Sequence, residues 1–336
     1  MKILLTAYYT TELGGGETSF INVINYLSNV KKDFSITLVI PQKGVFSKHI
    51  DSSVHIIEVK NRWDLFKLSG EYDLAIHNYI NFGKKFLLLP FLNVSKHSFI
   101  CHGLWDIPRF TKLNLLKIKS AKLFCVNNEL LNEVDYDDKY LLNLGVNLNN
   151  YNIQQNNSEL INIGVIGRFQ DVKNQLFALD VFKELQLHYE NLKLNFIGDS
   201  AFTEHSESYK EKVINKAKKL TNVEFLGNKN TEEVFDNIDV VFVSSKYESF
   251  GMVVVEALAN GLICIAPNIG GPKQIMSDKL KEFLYIPDDV SYASRLINKV
   301  LGNIDESQKI FRSHQSYYKE KFDVKNTVKL LLGEDI

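Results

Sequence analysis

Residues Ser244–Gly261 read SSKYESFGMVVVEALANG and follow the short apolar run Val240–Val243. The pattern predicts a buried strand, a polar loop that carries Glu248, and a helix that carries Glu256 about one turn inside its start. A helix that begins at the carboxyl end of a strand presents free backbone N–H groups, which attract an anion. The segment therefore predicts an α/β unit with a ligand-binding edge. A first-turn acidic residue favoured by the helix dipole is the simpler alternative for Glu256.

The alternation of strand and helix continues through the whole chain. Short runs rich in Val and Ile alternate with longer helical patterns, which is typical of parallel sheets covered by helices on both faces. The predicted strands are Ile3–Ala7, Ile36–Ile40, Val54–Val59, Leu74–His77, Ser98–Cys101, Leu123–Val126, Tyr140–Leu144, Ile161–Ile166, Leu194–Ile197, Val223–Leu226, Val240–Val243 and Leu262–Ala266. The predicted helices include Thr18–Leu27, Gln175–Tyr189, Ser208–Leu220, Met252–Asn260 and Tyr292–Leu301.

One stretch interrupts this alternation. Residues Asn147–Glu159 (NLNNYNIQQNNSE) are rich in Asn and Gln and poor in apolar side chains, which is typical of a linker. We therefore predict two Rossmann-like α/β domains, residues 1–155 and residues 156–304. Because open parallel sheets bind ligands outside the carboxyl ends of their strands, two such domains facing each other would form a cleft.

The composition is that of a globular protein. The chain has 336 residues, of which 45% are hydrophobic and 24% charged, and its formal net charge is -1. No bulk charge points to nucleic acid. The three cysteines lie in apolar runs without metal-ligand spacing, so buried free thiols are expected. No apolar run approaches the roughly 20 residues of a spanning helix. We expect a cytoplasmic protein, with contact at the inner face of the membrane as an open alternative.

The segment Gly164–Asn174, GVIGRFQDVKN, overlaps and follows the predicted strand Ile161–Ile166. Arg168 and Lys173 flank a short loop ahead of a helix. Two cations at the carboxyl end of a strand suit a diphosphate, which makes them candidates for anion binding. Solvated surface charges are the alternative.

Two glycine segments also follow predicted strands. Leu13–Glu17 (LGGGE) lies ahead of a helix but has neither the G-x-G-x-x-G pattern nor a P-loop, so it is interpreted as a flexible loop at the edge of the cleft. In Asn268–Pro272 (NIGGP), Gly270 and Gly271 either expose backbone amides to a phosphate or sugar or form a plain tight turn.

His102 directly follows the predicted strand Ser98–Cys101 and is expected to point into the cleft. His77 is a similar, weaker candidate. A lone histidine is more often a structural residue than a catalytic one.

Two segments mix basic and large apolar residues, namely Phe82–Leu92 and Arg109–Lys122. Such segments can rest on an anionic membrane. Helices with a buried apolar stripe and a solvated basic face are the alternative.

Several of these segments together resemble the family 4 glycosyltransferases, which have the GT-B fold. The resemblance is best over residues 140–275, where several motifs occur in the family's order, and it is looser in the first half, through Gly14–Gly16 and His102. The matching motifs are Asn143–Asn147, Gly167–Phe169 with Lys173-Asn174, Phe225–Gly227, Glu248–Gly251, Glu256-Ala257, Gly261 and Gly270-Gly271.

The resemblance implies a retaining glycosyltransferase that moves a hexose-type sugar from a nucleotide-sugar donor, a UDP-sugar being favoured, to a glycan or lipid-linked acceptor. The setting implied is the synthesis of bacterial surface polysaccharide, lipopolysaccharide or glycoconjugate. The first domain would bind the acceptor and the second the donor, and helices at about 305–336 would cross back onto the first domain. No cofactor and no metal are implied.

The resemblance also implies residue roles. Arg168 and Lys173 would bind the diphosphate and stabilise the leaving group in place of a metal. Glu256 would bind the ribose, Glu248 the transferred sugar, and His102 the sugar near the reacting carbon. The implied catalytic set is Arg168, Lys173, Glu248 and His102, and the implied donor-binding set is Gly15, Gly16, Gly167, Ser249, Phe250, Gly251, Met252, Glu256, Gly270 and Gly271.

The sequence departs from the family at Pro272, which is followed by Lys273-Gln274 where members usually carry an acidic residue. A sugar-nucleotide epimerase of the same fold is an alternative, although further acid and base residues are not identified. A non-catalytic partner subunit is another, against which the full set of donor residues counts. A nicotinamide-dependent oxidoreductase is disfavoured by the missing G-x-G-x-x-G.

Overall fold

The computed structural model describes residues 1–11, 13–30, 33–61, 64, 68, 70–79, 93–107, 120–147, 153–154, 156, 158–200, 203–230 and 233–333. The chain divides into two compact α/β units. The first comprises residues 1–147 and the segment from Phe322 onward, and the second comprises residues 148–321.

The described residues of the first unit form a seven-stranded parallel sheet in the order β3-β2-β1-β4-β5-β6-β7. The central strands are buried because helices cover the sheet, as their continuous runs of Ile, Leu and Val require. The strands are β1 (Lys2–Thr6), β2 (Ser35–Ile40), β3 (His55–Glu58), β4 (Tyr72–His77), β5 (Val94–Cys101), β6 (Ala121–Cys125) and β7 (Lys139–Leu141). Among the described residues before the second unit, the helices are α1 (Gly15–Val30), α2 (Val45–Lys48) and α3 (Asn128–Glu133), with a 3-10 turn at Leu104–Asp106.

The second unit is built on a six-stranded parallel sheet in the order β10-β9-β8-β11-β12-β13. Its strands are β8 (Ile161–Ile166), β9 (Leu192–Ile197), β10 (Val223–Gly227), β11 (Val240–Phe242), β12 (Ile263–Pro267) and β13 (Leu284–Tyr285). Its helices are α4 (Gln175–Leu185), α5 (Glu204–Ala217), α6 (Met252–Ala259), α7 (Gly270–Met276), α8 (Val290–Leu301) and α9 (Ile304–Lys321), with 3-10 turns at Asp171–Lys173 and Lys281–Phe283.

Each sheet has a point at which the strand order reverses direction. In the first unit this switch point lies between β1 and β4, and in the second it lies between β8 and β11. The connections on either side of a switch point leave a crevice outside the carboxyl ends of the two strands, where ligands of open α/β sheets bind. The fold therefore gives each unit one preferred position for a ligand.

The way the chain returns to the first unit corrects one prediction. Residues 305–336 were all expected to join the first domain, but helix α9 (Ile304–Lys321) belongs to the second unit. It stays there because Phe311 and Tyr318 on that helix are buried, with the ring of Phe311 4.5 Å from that of Phe283. Only the helix that follows, α10 (Val324–Leu332), packs on α1 of the first unit.

The predicted strands all occur within a few residues of their expected bounds, and β13 was missed because it has only two residues. All three cysteines are free and buried, as predicted. Much of the predicted linker and nearly all of the two predicted membrane segments fall outside the described residues. Within the described part of the chain, no helix is both long enough and apolar enough to cross a bilayer.

Candidate functional site

The switch point of the second unit brings together the residues that the sequence singled out on β8 and β11. Arg168 and Lys173 follow β8, and Glu248 follows β11, which is hydrogen-bonded to β8 in the sheet. Because both strands are parallel, the loops that carry these three side chains leave the same edge of the sheet. The sequence prediction that these residues share one edge is confirmed by the strand order.

Lys173 and Glu248 form an ion pair at this edge. Lys173 Nζ lies 2.6 Å from Glu248 Oε1, and the hydroxyl of Ser245 donates a second hydrogen bond of 2.6 Å to the same oxygen. The two charged side chains retain 26% and 15% of their exposure. A charge-assisted hydrogen bond in partial burial is stronger than an exposed ion pair, so both groups are held in place yet remain reachable.

Hydrogen bonds to backbone carbonyl groups join the two loops to each other. The hydroxyl of Ser244 donates to the carbonyl of Lys173 at 2.7 Å, and the N–H of Lys246 donates to the carbonyl of Val172 at 2.8 Å. Asn174, which adopts a left-handed conformation with φ of 53° before α4, donates from its side chain to Asp288 at 3.0 Å. Asn tolerates this conformation better than most residues. The loop that carries Arg168 and Lys173 and the loop that carries Glu248 are therefore fixed to each other. We call this pair of loops the platform.

Two glycines shape the start of the helices beside this platform. Gly251 has a φ of 94° and caps the start of α6, a conformation that a side chain would strain. A Cβ atom on Gly271 would lie 1.8 Å from the carbonyl oxygen of Phe250, so only glycine allows α7 to approach that loop. The Gly271 N–H donates to the carbonyl of Glu248 at 2.8 Å. This amide is thus occupied within the protein, which disfavours the expected phosphate contact there.

The remaining residues predicted for the second unit lie in the same loops or in helices α6 and α7. Phe250 and Met252 are buried, whereas Arg168, Ser249 and Glu256 are half-buried. Glu256 lies one turn inside α6, as predicted. Gly167 has a φ of 146°, and Gly270 has a φ of 56° at the first position of α7.

The first unit carries a separate polar cluster at its own switch point. His102 follows β5, and its Nε2 lies 3.1 Å from Oδ1 of Asn78, which follows β4. The ring of Tyr79 lies 4.6 Å from the ring of His102, and its hydroxyl donates to Glu17 at 2.6 Å. Burial lowers the pKa of His102 to about 4, so its ring is neutral at neutral pH.

The glycine segment ahead of α1 differs from the prediction. It was expected to be a flexible loop, but Gly15 and Gly16 already lie in the first turn of α1. The reason is a local cap, since the Glu17 carboxylate accepts a hydrogen bond of 2.9 Å from the Gly14 N–H. A Cβ on Gly16 would lie 2.7 Å from the Tyr79 hydroxyl and 3.2 Å from the His102 ring. Gly16 therefore permits close packing of the helix start on those two rings.

The weaker histidine candidate has a structural role. The His77 ring lies between Thr6, whose hydroxyl is 2.9 Å from Nδ1, and His97, whose Nδ1 is 3.0 Å from Nε2. All three side chains are buried in neighbouring strands of the sheet. Burial lowers the pKa of His77 well below its usual value and that of His97 to about 4. These neutral rings satisfy one another inside the sheet.

The structure thus groups the predicted residues in two places. His102, Gly15 and Gly16 belong to the first unit, and the other predicted site residues belong to the second. The sequence did not identify the polar partners of these residues, because a lone Ser, Asn, Tyr or Glu after a strand carries no motif of its own. The missed residues are Glu17, Asn78, Tyr79, Ser244, Ser245 and Asp288.

Comparison with known proteins gives one family. A family model described as glycosyl transferases group 1 matches residues 149–317. An uncharacterised 41.2 kDa protein in the cps region of Klebsiella pneumoniae is 32% identical over 133 residues, 40% of this chain and 35% of that protein. The amylovoran biosynthesis glycosyltransferase AmsD of Erwinia amylovora is 25% identical over 309 residues, 82% of this chain and 84% of that protein. The chain spans 35%, 52% and 56% of the length of three of the curated relatives that it matches.

A solved structure matches nearly the whole chain. The crystal structure of Anabaena HepE in complex with UDP and glucose has a TM-score of 0.80 and 18% sequence identity, covering 99% of this chain and 98% of that one. At this identity the likeness establishes the fold alone. That fold is GT-B, and the predicted fold class is confirmed.

Proposed function

Since the chain belongs to the group 1 glycosyltransferases, we propose that it is a retaining transferase that moves a hexose-type sugar from a nucleotide-sugar donor to a glycan or lipid-linked acceptor. The acceptor hydroxyl forms the new glycosidic bond, and the nucleoside diphosphate leaves with the electrons of the broken bond. Retention of the anomeric configuration is part of the proposal and follows from the family resemblance.

The observation that carries the proposal is the platform at the switch point of the second unit. Lys173 and Arg168 supply positive charge beside the position where a diphosphate would lie, and the leaving group gains negative charge as the bond breaks. Cations that are already fixed stabilise that charge without reorganisation. The 2.6 Å ion pair with Glu248 and the anchored backbone of Lys173 fix one of these cations. Because protein cations fill this role, the proposal includes transfer without a metal ion.

The remaining donor contacts follow from the same platform. Glu256 is half-buried one turn inside α6, where its carboxylate would accept hydrogen bonds from the ribose hydroxyls. Glu248 would accept hydrogen bonds from the transferred sugar. The turn at Phe250-Gly251 leaves room for a ligand near the backbone, since Gly251 has no side chain.

The names of the similar proteins support a donor and a setting. HepE was crystallised with UDP and glucose, which makes a UDP-sugar the first donor to test. AmsD is named for amylovoran biosynthesis, and the Klebsiella protein lies in a cps region, so we place this chain in surface polysaccharide synthesis. We place the reaction in the cytoplasm, where the segments around Lys84 and Lys85 and at residues 109–122 would contact an anionic membrane.

The proposal is tested by measuring nucleoside diphosphate release and ligand binding across UDP-, GDP-, ADP- and TDP-sugars in the presence of EDTA. We expect one nucleotide to bind and its sugar donor to be turned over. NMR of the recovered donor separates the epimerase alternative, which would give a new sugar configuration without release of the diphosphate. Absence of binding to every donor would overturn the proposal in favour of a non-catalytic partner subunit.

The membrane part of the proposal needs its own experiment. Co-sedimentation with vesicles that contain anionic lipid at low salt should be lost when Lys84 and Lys85 are both changed to Glu, since the attraction depends on their charge. No binding of the wild-type protein to such vesicles would remove this part and leave the donor proposal unchanged.

A further inference from the structure

Two exposed aromatic side chains lie at the carboxyl edge of the first sheet. Among the described residues, the exposed phenylalanine, tyrosine and tryptophan side chains are Tyr9, Trp105, Tyr140 and Tyr292. Tyr9 follows β1 and Trp105 follows β5, so both leave the sheet at the carboxyl ends of its strands. Trp105 is the most exposed of the four, at 55%. Because ligands of open parallel sheets bind at this edge, these two residues are candidates for contact with a ligand.

The turn that carries Trp105 is fixed by hydrogen bonds. The N–H of Asp106 donates to the carbonyl of Gly103 at 2.9 Å, and the N–H of His102 donates to the Asp106 carboxylate at 3.0 Å. Asp106 is fully buried, whereas Leu104 and Trp105 of the same turn are 47% and 55% exposed. The exposure of these two apolar side chains is therefore a property of a fixed turn.

Gly103 provides the surface against which the indole ring lies. A Cβ atom at this position would lie 2.3 Å from two carbon atoms of the six-membered ring of Trp105 and 2.5 Å from a third. Any other residue there would displace the ring. The contact restrains the side chain before a ligand arrives, which lowers the entropy that binding costs. Trp105 is thus restrained and still more than half exposed.

Further rings extend from Tyr9 across the switch point toward this turn. The ring of Tyr9 lies 5.0 Å from that of Tyr79, which follows β4, and the ring of Tyr79 lies 4.6 Å from that of His102. The Tyr79 hydroxyl donates to the buried carboxylate of Glu17 at 2.6 Å. This edge therefore combines aromatic surface with a few polar groups, as small-molecule sites do. A pyranose ring matches it, with apolar C–H groups on its faces and hydroxyl groups around its rim.

We propose that Trp105 is a specificity-determining residue for the acceptor, whose pyranose ring packs one C–H face on the exposed indole. The negative face of the indole attracts C–H hydrogens, which carry a partial positive charge. The identity of this sugar as the acceptor rests on the proposed function, whereas sugar binding at Trp105 is independent of transfer. A sugar is favoured over a membrane surface because the turn directly follows His102 and the rings of the switch point.

Saturation-transfer difference NMR tests the contact without donor or turnover. The aromatic protons of the protein are saturated in heavy water, with cellobiose, lactose, maltose or diacetylchitobiose as the free sugar. We expect transfer to C–H protons on one face of one ring in at least one of these sugars. In Trp105→Ala the transfer should fall about tenfold, while Trp105→Phe should retain part of it. Absence of transfer from the wild-type protein to every one of these sugars would overturn the proposal.

The matched control is Tyr140→Ala. Tyr140 is a 38% exposed aromatic residue of the same unit, but it lies on β7, where its ring stacks on that of Phe124 at 5.5 Å. This variant should transfer saturation to the sugar as the wild-type protein does. Equal losses in Tyr140→Ala and Trp105→Ala would overturn the specific role of Trp105. If Trp105→Ala does not fold, the wild-type measurement and Trp105→Phe still decide.

The outcomes separate the sugar contact from the proposed function. Turnover of a nucleotide-sugar without transfer to any free sugar would overturn the contact and leave the proposed function intact. Transfer that depends on Trp105, without binding of any donor, would establish the contact and count against the proposed function only. Trp63→Phe leaves Trp105 as the sole tryptophan. A blue shift of its emission on anionic vesicles, without transfer to sugars, would assign the turn to a membrane and overturn the proposal.

Discussion

The ion pair between Lys173 and Glu248 makes the sharpest prediction at the scale of single residues. Lys173→Ala removes a fixed cation where the leaving group would gain negative charge, and it leaves Glu248 with Ser245 as a remaining partner. Loss of one such preorganised group typically lowers kcat by about 100-fold to 1,000-fold. We expect a fall of that order, measured as nucleoside diphosphate release at saturating donor.

Lys193 provides the control, because it forms an ion pair of 2.7 Å with Glu224 in the same unit but on β9, away from the platform. Exposed ion pairs contribute little stability, about 0 to 1 kcal/mol. Lys193→Ala should therefore keep the wild-type rate. Full activity of Lys173→Ala, or equal losses in both variants, would contradict the site assignment.

Gly271 supports a second prediction at this scale. A Cβ atom there would lie 1.8 Å from the Phe250 carbonyl oxygen, so Gly271→Ala must push α7 away from the loop that carries Glu248. Overpacking of this kind costs about 1 to 3 kcal/mol. We expect a lower Tm and weaker donor binding. Gly302→Ala is the matched control, since the nearest atom to its Cβ would be 3.4 Å away and its φ of -65° suits any residue.

The sequence located the charged residues of the platform but not their partners. Arg168, Lys173 and Glu248 could be found because each stands in a motif directly after a predicted strand. The hydrogen bond from Ser245 and the pairing of Asn78 with His102 could not, because they depend on which strands become neighbours. Contacts between positions far apart in the chain follow from the strand order, which a single sequence does not specify.

At the scale of secondary structure, helix α9 decides where the second unit ends. Phe311 on this helix is 1% exposed and packs edge-on against Phe283 at 4.5 Å. Phe311→Ala would leave a cavity and cost about 3 to 5 kcal/mol. We expect hydrogen exchange to accelerate throughout the second unit, while exchange in the sheet of the first unit stays unchanged.

Leu187→Ala is the comparison, since this side chain is 72% exposed and its loss should change stability by less than about 0.5 kcal/mol. Equal acceleration of exchange in both units of Phe311→Ala would show that α9 stabilises the first unit as well. The predicted assignment of residues 305–336 would then be nearer the truth than the division found in the structure.

Helix bounds and strand positions were predictable because apolar periodicity is a local property. The membership of α9 was not, since its buried residues Phe311 and Tyr318 fit the apolar stripe of a helix in either unit. The two-residue strand β13 carries no periodicity of its own and forms only because β12 lies beside it.

At the scale of the whole molecule, the buried histidines give the two units different responses to acid. His77, His97 and His102 all lie in the first unit, and burial lowers the pKa of each. The unfolded chain, with histidine pKa near 6.5, binds protons more readily than the folded chain. The contribution of these histidines to the free energy of unfolding is therefore fully present above about pH 6.5 and is lost as the pH drops toward 4. For His97 and His102 the loss from pH 7 to pH 5 is roughly 2 kcal/mol each.

Tryptophan fluorescence measures this effect selectively, because Trp63 and Trp105 both lie in the first unit and the chain has no others. Urea unfolding followed by tryptophan emission should show a lower midpoint at pH 5 than at pH 7. His97→Gln should reduce that difference, since one titrating ring is gone. The same midpoint at both pH values would mean that these rings are not buried as neutral groups.

The return of the chain to the first unit also has a consequence for synthesis on the ribosome. Val146 forms a bridge with Asp323, the hydroxyl of Thr327 donates to the carbonyl of Asn143 at 2.8 Å, and Val324 lies so close to Gly145 that no side chain would fit there. These contacts complete the edge of the first unit with residues translated after the entire second unit. Domains generally fold in the order in which they emerge from the ribosome. Here the first unit can complete its folding only after the segment from Phe322 onward has been translated. A fragment that ends at residue 321 and has left the ribosome should therefore hold a finished second unit and an unfinished first one.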